Sequence, residues 1–229
     1  MVVVWALDGN TKVSEESKTI VEEIKVEEPK AKLYIEVEVK YNADGIERMA
    51  FKDLVKSLNP KSFIYVESKD VYYAKNENEF LRHRLPAENK GTAEENRSEL
   101  TFKKKTVDQN NWSRVEVNLR IDGNDPKLVE AFCNGLGYTK NFSIEKCCEI
   151  YFWDDADVVY YSVKDENGKY SYYLEIEASE DIGMTQEESW QVVLKYEKLL
   201  APLGITPQKR KKLSLWEMYR KEIKNGSEK

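Results

Sequence analysis

The sequence predicts a mainly antiparallel α+β protein: a closed eight-stranded β-barrel with helices packed outside. Eight segments alternate apolar and polar residues with a period of two, which sends successive side chains to opposite faces of a strand. Helical spacing is confined to four short stretches at the edges of that pattern. Few helices around about eight strands favour a sheet closed on itself over a layered α/β arrangement.

Taken in order, residues 1–32 differ from the rest. The run from residue 14 to 32 is rich in Glu, Lys and Val without an aromatic residue, and is expected to be a mobile or loosely docked extension, with one short strand at 2–7. Strands are expected at 33–41, 62–74, 80–85, 98–105, 112–121, 149–153, 158–163 and 170–178. Asn167–Gly168 turns the last two into a hairpin, and residues 86–96 read as an exposed polar loop. Ile46, Met49, Ala50, Leu54 and Leu58 share one helical face. Asp125–Pro126 caps and starts a second helix through Leu128, Val129, Phe132 and Leu136, stopped by Gly137. Thr185 with Glu188, and Ser214 with Glu217, form capping boxes ahead of two more helices, the last running toward Ile223. No linker divides residues 33–224, which are expected to form one domain, with a tail at 225–229.

Composition narrows the function. Hydrophobic residues make up 41% of the 229, enough for a core, and charged residues 34%. The 36 basic and 42 acidic residues leave a net charge of −6, against the profile of a general nucleic-acid binder, though not against a local basic pocket. Cys133, Cys147 and Cys148 have no paired-ligand spacing, which points to a reducing compartment. The apolar run Val2–Leu7 is too short for a membrane span or a signal-peptide core, so a soluble, cytoplasmic protein without a membrane partner is expected. His83 is the single histidine, which excludes a His-dependent triad or a His-rich zinc site.

The polar faces of the strands carry the chemistry. Glu36, Glu38 and Lys40 share one face; so do Arg82 and Arg84; so do Glu99, Thr101, Lys103 and Lys105. Arg114, Glu116, Asn118 and Arg120 form another such row, and Glu175 and Glu177 end the last strand. A solvated face is the ordinary reading of any one of these strands. Five strands with the same charged alternation argue instead that the charges converge in a lumen while the apolar faces meet the helices. Glu36–Glu38 and Glu175–Glu177 are like-charged neighbours that need a counter-charge, which Mg²⁺ or Mn²⁺ would supply to carboxylate oxygens. Arg82, Arg84, Lys103 and Arg114 need an anion, and a polyphosphate offers several charges in a row.

Glu36-Val37-Glu38-Val39-Lys40 resembles the ExExK signature of the CYTH superfamily, the triphosphate tunnel metalloenzymes. Leu81-Arg82-His83-Arg84 is similar to that family's LRxR strand, Glu99-Leu100-Thr101-Phe102-Lys103 to its LTxK strand, and Arg114-Val115-Glu116 to its RxE strand. Leu136-Gly137-Tyr138 resembles the end of its small helix, Leu174-Glu175-Ile176-Glu177 its late LEIE strand, and Leu213 to Tyr219 its closing helix. The resemblance covers about residues 33 to 220 and implies an eight-stranded tunnel. It implies metal binding by Glu36, Glu38, Glu175 and Glu177, with Glu116 a further acidic ligand or the group that orients the attacking group. Lys40, Arg82, Arg84, Lys103, Arg114 and Lys146 would grip the triphosphate, and Lys40 with Glu116 would serve catalysis. Where the family has a KxR pair, Lys146-Cys147-Cys148 places Cys148 at the arginine position. An aspartate is also expected ahead of LEIE, with Asp154, Asp155, Asp157 and Asp165 all candidates.

These residues fit a metal-dependent triphosphatase acting on tripolyphosphate, a nucleoside or thiamine triphosphate, or RNA 5′-triphosphate ends. They fit equally a class IV adenylate cyclase that makes cyclic AMP and pyrophosphate, and a non-catalytic sensor of polyphosphate or nucleotide is the third reading. Other conspicuous residues have plainer roles. His83 falls on the face opposite the arginines and suits packing or surface; Cys147 and Cys148 suit ordinary burial. Lys209-Arg210-Lys211-Lys212 reads as a solvated helix entrance, and Tyr72, Tyr73, Tyr172 and Tyr173 include possible stacking partners for a base.

Overall fold

The computed structural model describes residues 34–86, 98–105, 113–121, 125–179 and 184–222. The extension at 1–32, most of the 86–96 loop, Ile223 and the tail lie outside the described residues. Among the described residues nine strands form one antiparallel sheet: β1 Tyr34–Asn42, β2 Ser62–Ala74, β3 Glu79–Pro86, β4 Ser98–Lys105, β5 Ser113–Ile121, β6 Thr139–Phe152, β7 Ala156–Lys164, β8 Tyr170–Ala178 and the short β9 Arg210–Lys211. Their order is β5-β4-β3-β2-β6-β7-β8-β1-β9, and β1 pairs with β5 as well. The N-terminal half of β1 lies beside β5, with Tyr34 opposite Glu116 and Val37 opposite Ser113. Its C-terminal half lies beside β8, with Glu38 opposite Glu177 and Lys40 opposite Glu175.

Among the described residues four α-helices accompany the sheet: α1 Arg48–Ser57, α2 Pro126–Gly135, α3 Gln186–Leu199 and α4 Leu215–Tyr219. The expected caps are present. The Asp125 carboxylate accepts from the Lys127 and Leu128 backbone N–H groups, and both capping boxes are complete. Gly137 follows α2 at φ +82°, where a side chain would be strained. The β7–β8 hairpin turns through residues 165–169, with Gly168 at φ +79° and the Asp165 carboxylate accepting from the N–H groups of Asn167 and Lys169.

One face of the sheet packs on helices. Val37, Val39, Tyr41, Leu174 and Ile176 bury against Phe51 and Val55 of α1 and Val193 and Tyr196 of α3. Val71, Tyr73, Leu81 and Leu100 bury against Val129 and Cys133 of α2. The opposite face carries a third cluster, in which Leu215 and Trp216 of α4 pack with Tyr72, Phe80, Phe142 and Ile144. Apolar residues were expected on the helix side alone; here part of the other face is aromatic because α4 packs on that face and needs partners for its own apolar side chains.

Two sequence expectations need correction. The strand expected at 149–153 begins ten residues earlier, since β6 spans Thr139–Phe152. The basic run before α4 is not wholly solvated. Arg210 pairs through both Nε and Nη2 with the buried Glu197 of α3, at 2.6 and 2.8 Å, and lies over the Trp190 ring. The Tyr41 hydroxyl donates to the same carboxylate, and β9 sits beside Lys40 and Tyr41 of β1. Lys209, Lys211 and Lys212 remain exposed. His83 is fully buried on the helix side, the packing alternative, and burial lowers its pKa.

Candidate active site

Strand alternation decides which side chains can meet. On β1 to β8 the residues facing away from α1, α2 and α3 surround one cavity of about 360 Å³, which Leu215 and Trp216 of α4 also line. Lys40, Arg82, Arg84, Lys103 and Lys146 supply cationic lining; Glu38, Glu99, Glu116, Asp157, Glu175 and Glu177 supply carboxylates. All but two of the sequence-predicted site residues are therefore gathered here. The two are Glu36 and Arg114, whose backbones face each other across β1 and β5 and whose side chains are outside the described set.

The cations are held by carboxylates at short range. Lys40 Nζ is 2.5 Å from Glu175 Oε1 and 3.6 Å from Glu38 Oε1. Lys103 Nζ is 2.5 Å from Glu116 Oε2, a pairing set by their opposed positions on β4 and β5. Arg82 donates through Nη2 to Thr101 Oγ1 at 3.0 Å and stands 4.0 Å from Glu116; among the described residues its buried Nε–H has no acceptor. A buried donor without an acceptor is costly, and a bound anion would satisfy it.

Asp70 is the strongest residue that sequence reading missed. It is fully buried on β2 and accepts from Arg84 Nε and Nη2 at 2.9 and 3.0 Å. Burial alone would raise the Asp70 pKa, but the Arg84 charge and hydrogen bonds, helped by Arg82 and Lys146, outweigh it and hold the carboxyl well below the usual range. Among the four candidate aspartates the geometry selects Asp157. It lines the cavity, whereas Asp154 pairs with Lys61, Asp155 with Lys195 and Tyr196, and Asp165 shapes the hairpin turn.

Lys146 and Cys148 both line the cavity, so a thiol stands on the wall where the family resemblance expects a guanidinium. Burial pushes that thiol's pKa up, which suits a neutral wall group rather than a nucleophile. Of the four tyrosines, Tyr72 alone lines the cavity; Tyr73 is buried toward α2 and Tyr172 is exposed.

For a metal, the donor set is informative. Asp157 opposes Glu177 across β7 and β8, and Glu177 opposes Glu38 across β8 and β1. Three neighbouring carboxylates on one face are hard oxygen donors of the kind divalent cations take. Among the described residues no three acidic, imidazole or thiol groups are yet gathered around one point, and Glu38 and Glu175 lean toward Lys40 instead.

A mainly antiparallel sheet whose strands line one cavity with both cations and carboxylates defines the class of fold. The CYTH domain matches residues 34–201, and this chain belongs to that family. Solved structures share the fold. A conserved hypothetical protein from Pyrococcus furiosus is 23% identical with a TM-score of 0.63, over 80% of this chain and 98% of that one. A Pyrococcus horikoshii protein is 21% identical with a TM-score of 0.63, over 78% and 96%. A proposed adenylate cyclase from Vibrio parahaemolyticus is 17% identical with a TM-score of 0.56, over 82% and 98%. No curated protein matches. No described helix is long and apolar enough to cross a membrane.

Proposed function

We propose that the strands close into a tunnel through the β1–β5 pairing and that the protein hydrolyses a triphosphate compound there, with Mg²⁺ or Mn²⁺. The observation that carries this reading is a cavity in which Lys40, Arg82, Arg84, Lys103 and Lys146 face Glu38, Glu116, Asp157, Glu175 and Glu177. Cations on several strands can hold a chain of phosphates in line, which is most of what phosphoryl transfer requires. Arg114 is assigned to the same grip and Glu36 to the metal set with Glu38, Glu175 and Glu177. A divalent ion, when bound, would neutralise charge on the phosphate oxygens. Glu116, paired with Lys103, would orient a water toward the terminal phosphorus and accept its proton.

Hydrolysis is favoured over cyclisation by the aromatic wall. Tyr72 stacks on Phe142 with centroids 4.4 Å apart and Phe80 on Trp216 at 5.3 Å, so these rings already have stacking partners within the protein. Incubation with Mn²⁺ and tripolyphosphate or ATP is the test. Orthophosphate release is expected, and Glu38→Ala or Glu177→Ala is expected to abolish it while circular dichroism stays unchanged. Cyclic AMP with pyrophosphate would replace this reading by the cyclase, and binding without turnover would replace it by a sensor.

A further inference from the structure

Tyr161 of β7 is fully buried and belongs to none of the charged motifs, yet it touches both sides of the charge array. Its hydroxyl donates to Glu175 Oε1 at 2.7 Å. The same oxygen receives Lys40 Nζ at 2.5 Å, so two donors from two strands converge on it. Its ring carries the Lys146 ammonium 4.3 Å from the centroid, within cation–π range. Cys148 lies directly opposite it on β6, a small side chain that does not compete for Glu175.

We infer that Tyr161 is a positioning residue that fixes Glu175 with its hydroxyl and Lys146 with its ring. The inference rests on the phosphate-binding reading of the cavity. A carboxylate can rotate about its last torsion, and a lysine head group has three rotatable donors on a flexible stem. With Oε1 committed to Tyr161 and Lys40, the carboxylate plane of Glu175 is set, and Lys40 is drawn to one place beside it. On the other side the ring offers Lys146 a polarised face instead of a second carboxylate. The ammonium is thus held in position while its charge stays available to an anion. One tyrosine thereby couples two cations that the sequence separates by 106 positions (Lys40 and Lys146).

Two substitutions separate the two contacts. Tyr161→Phe keeps the ring and removes the hydroxyl; Tyr161→Leu removes both. The readouts are turnover of tripolyphosphate with Mn²⁺, and calorimetric binding of tripolyphosphate alone in the presence of EDTA. Tyr161→Phe is expected to lower kcat about tenfold, the scale of one charge-assisted hydrogen bond, with metal-free affinity changed less than threefold. Tyr161→Leu is expected to lose the same kcat and also about five- to tenfold in metal-free affinity, through Lys146. A purely packing role would lower the melting temperature of both variants while leaving kcat and affinity at wild-type values, and that result overturns the inference. Equal affinity in the Phe and Leu variants overturns the Lys146 half of it. If the wild type itself binds no tripolyphosphate, the reading of the cavity falls, and this inference with it.

Discussion

At the scale of single residues, the charged positions were legible because strand alternation leaves little freedom. Once Val37 and Val39 are assigned to the helix side, Glu38 and Lys40 must face the other way, and the same logic holds for Arg82, Arg84, Lys103, Glu116, Glu175 and Glu177. Asp70 escaped because its own face reads Ser68, Asp70, Tyr72, a mixture without a repeated charge. Yet it takes both donors of Arg84. Its folded pKa lies below the unfolded value near 3.9, so its contribution is fully present above about pH 4 and is lost as pH falls toward the folded value. Asp70→Asn removes the counter-charge and leaves Arg84 paired with a neutral amide. At pH 7 the variant is expected to lose about 3–5 kcal/mol in urea unfolding, the usual consequence of breaking one side of a buried pair. Below pH 4 the gap between variant and wild type should narrow, because the wild type loses the same charge. Midpoints that coincide at pH 7 would show that Asp70 is dispensable.

At the scale of elements, β2, β4 and β8 span the predicted residues, and β1, β3, β5 and β7 end within two residues of theirs. The strand that was misread, β6, changes character along its length. Its cavity-side residues run Phe142, Ile144, Lys146, Cys148 and Ile150, apolar where α4 packs and cationic where the site begins. A binary pattern inverts at Lys146, so period-two reading loses the strand there. The short β9 could not be found in the same way, since two residues carry no period. What holds β9 is the side-chain latch of Arg210, Glu197 and Tyr41, made between residues distant in sequence. This latch fixes the segment that delivers α4 to the cavity. Arg210→Ala leaves the buried Glu197 carboxylate with Tyr41 alone and should cost about 3 kcal/mol. Arg210→Lys, which keeps the charge but not the two-pronged geometry, should fall between the two. Thermal unfolding of the three proteins checks the order, and a wild-type melting temperature for Arg210→Ala would exclude the latch.

At the scale of the whole molecule, the cavity sets five cations against six carboxylates at close range. Such an array is more than a sum of surface ion pairs, because burial weakens screening and makes each unmatched charge expensive. Several cavity cations are already spoken for by carboxylates: Lys40 by Glu175, Lys103 by Glu116, Arg84 by Asp70. Loading the cavity as proposed would therefore exchange partners. Phosphate oxygens would take the cations, and a divalent ion would take the carboxylates they release. Anion and metal should accordingly stabilise the fold cooperatively, each making room for the other. At a hundredfold excess over the dissociation constant, ligand binding adds about 2.7 kcal/mol, or about 5–10 °C of melting temperature for a domain of this size. A differential scan with tripolyphosphate alone, Mn²⁺ alone and both together is expected to give a joint shift larger than the sum of the separate ones. Glu38→Ala should retain the anion shift and lose the metal increment; Arg82→Ala should lose most of both. An equal shift from sulfate at matched ionic strength would mean that the charges respond to salt in general, and the exchange of partners would have no role.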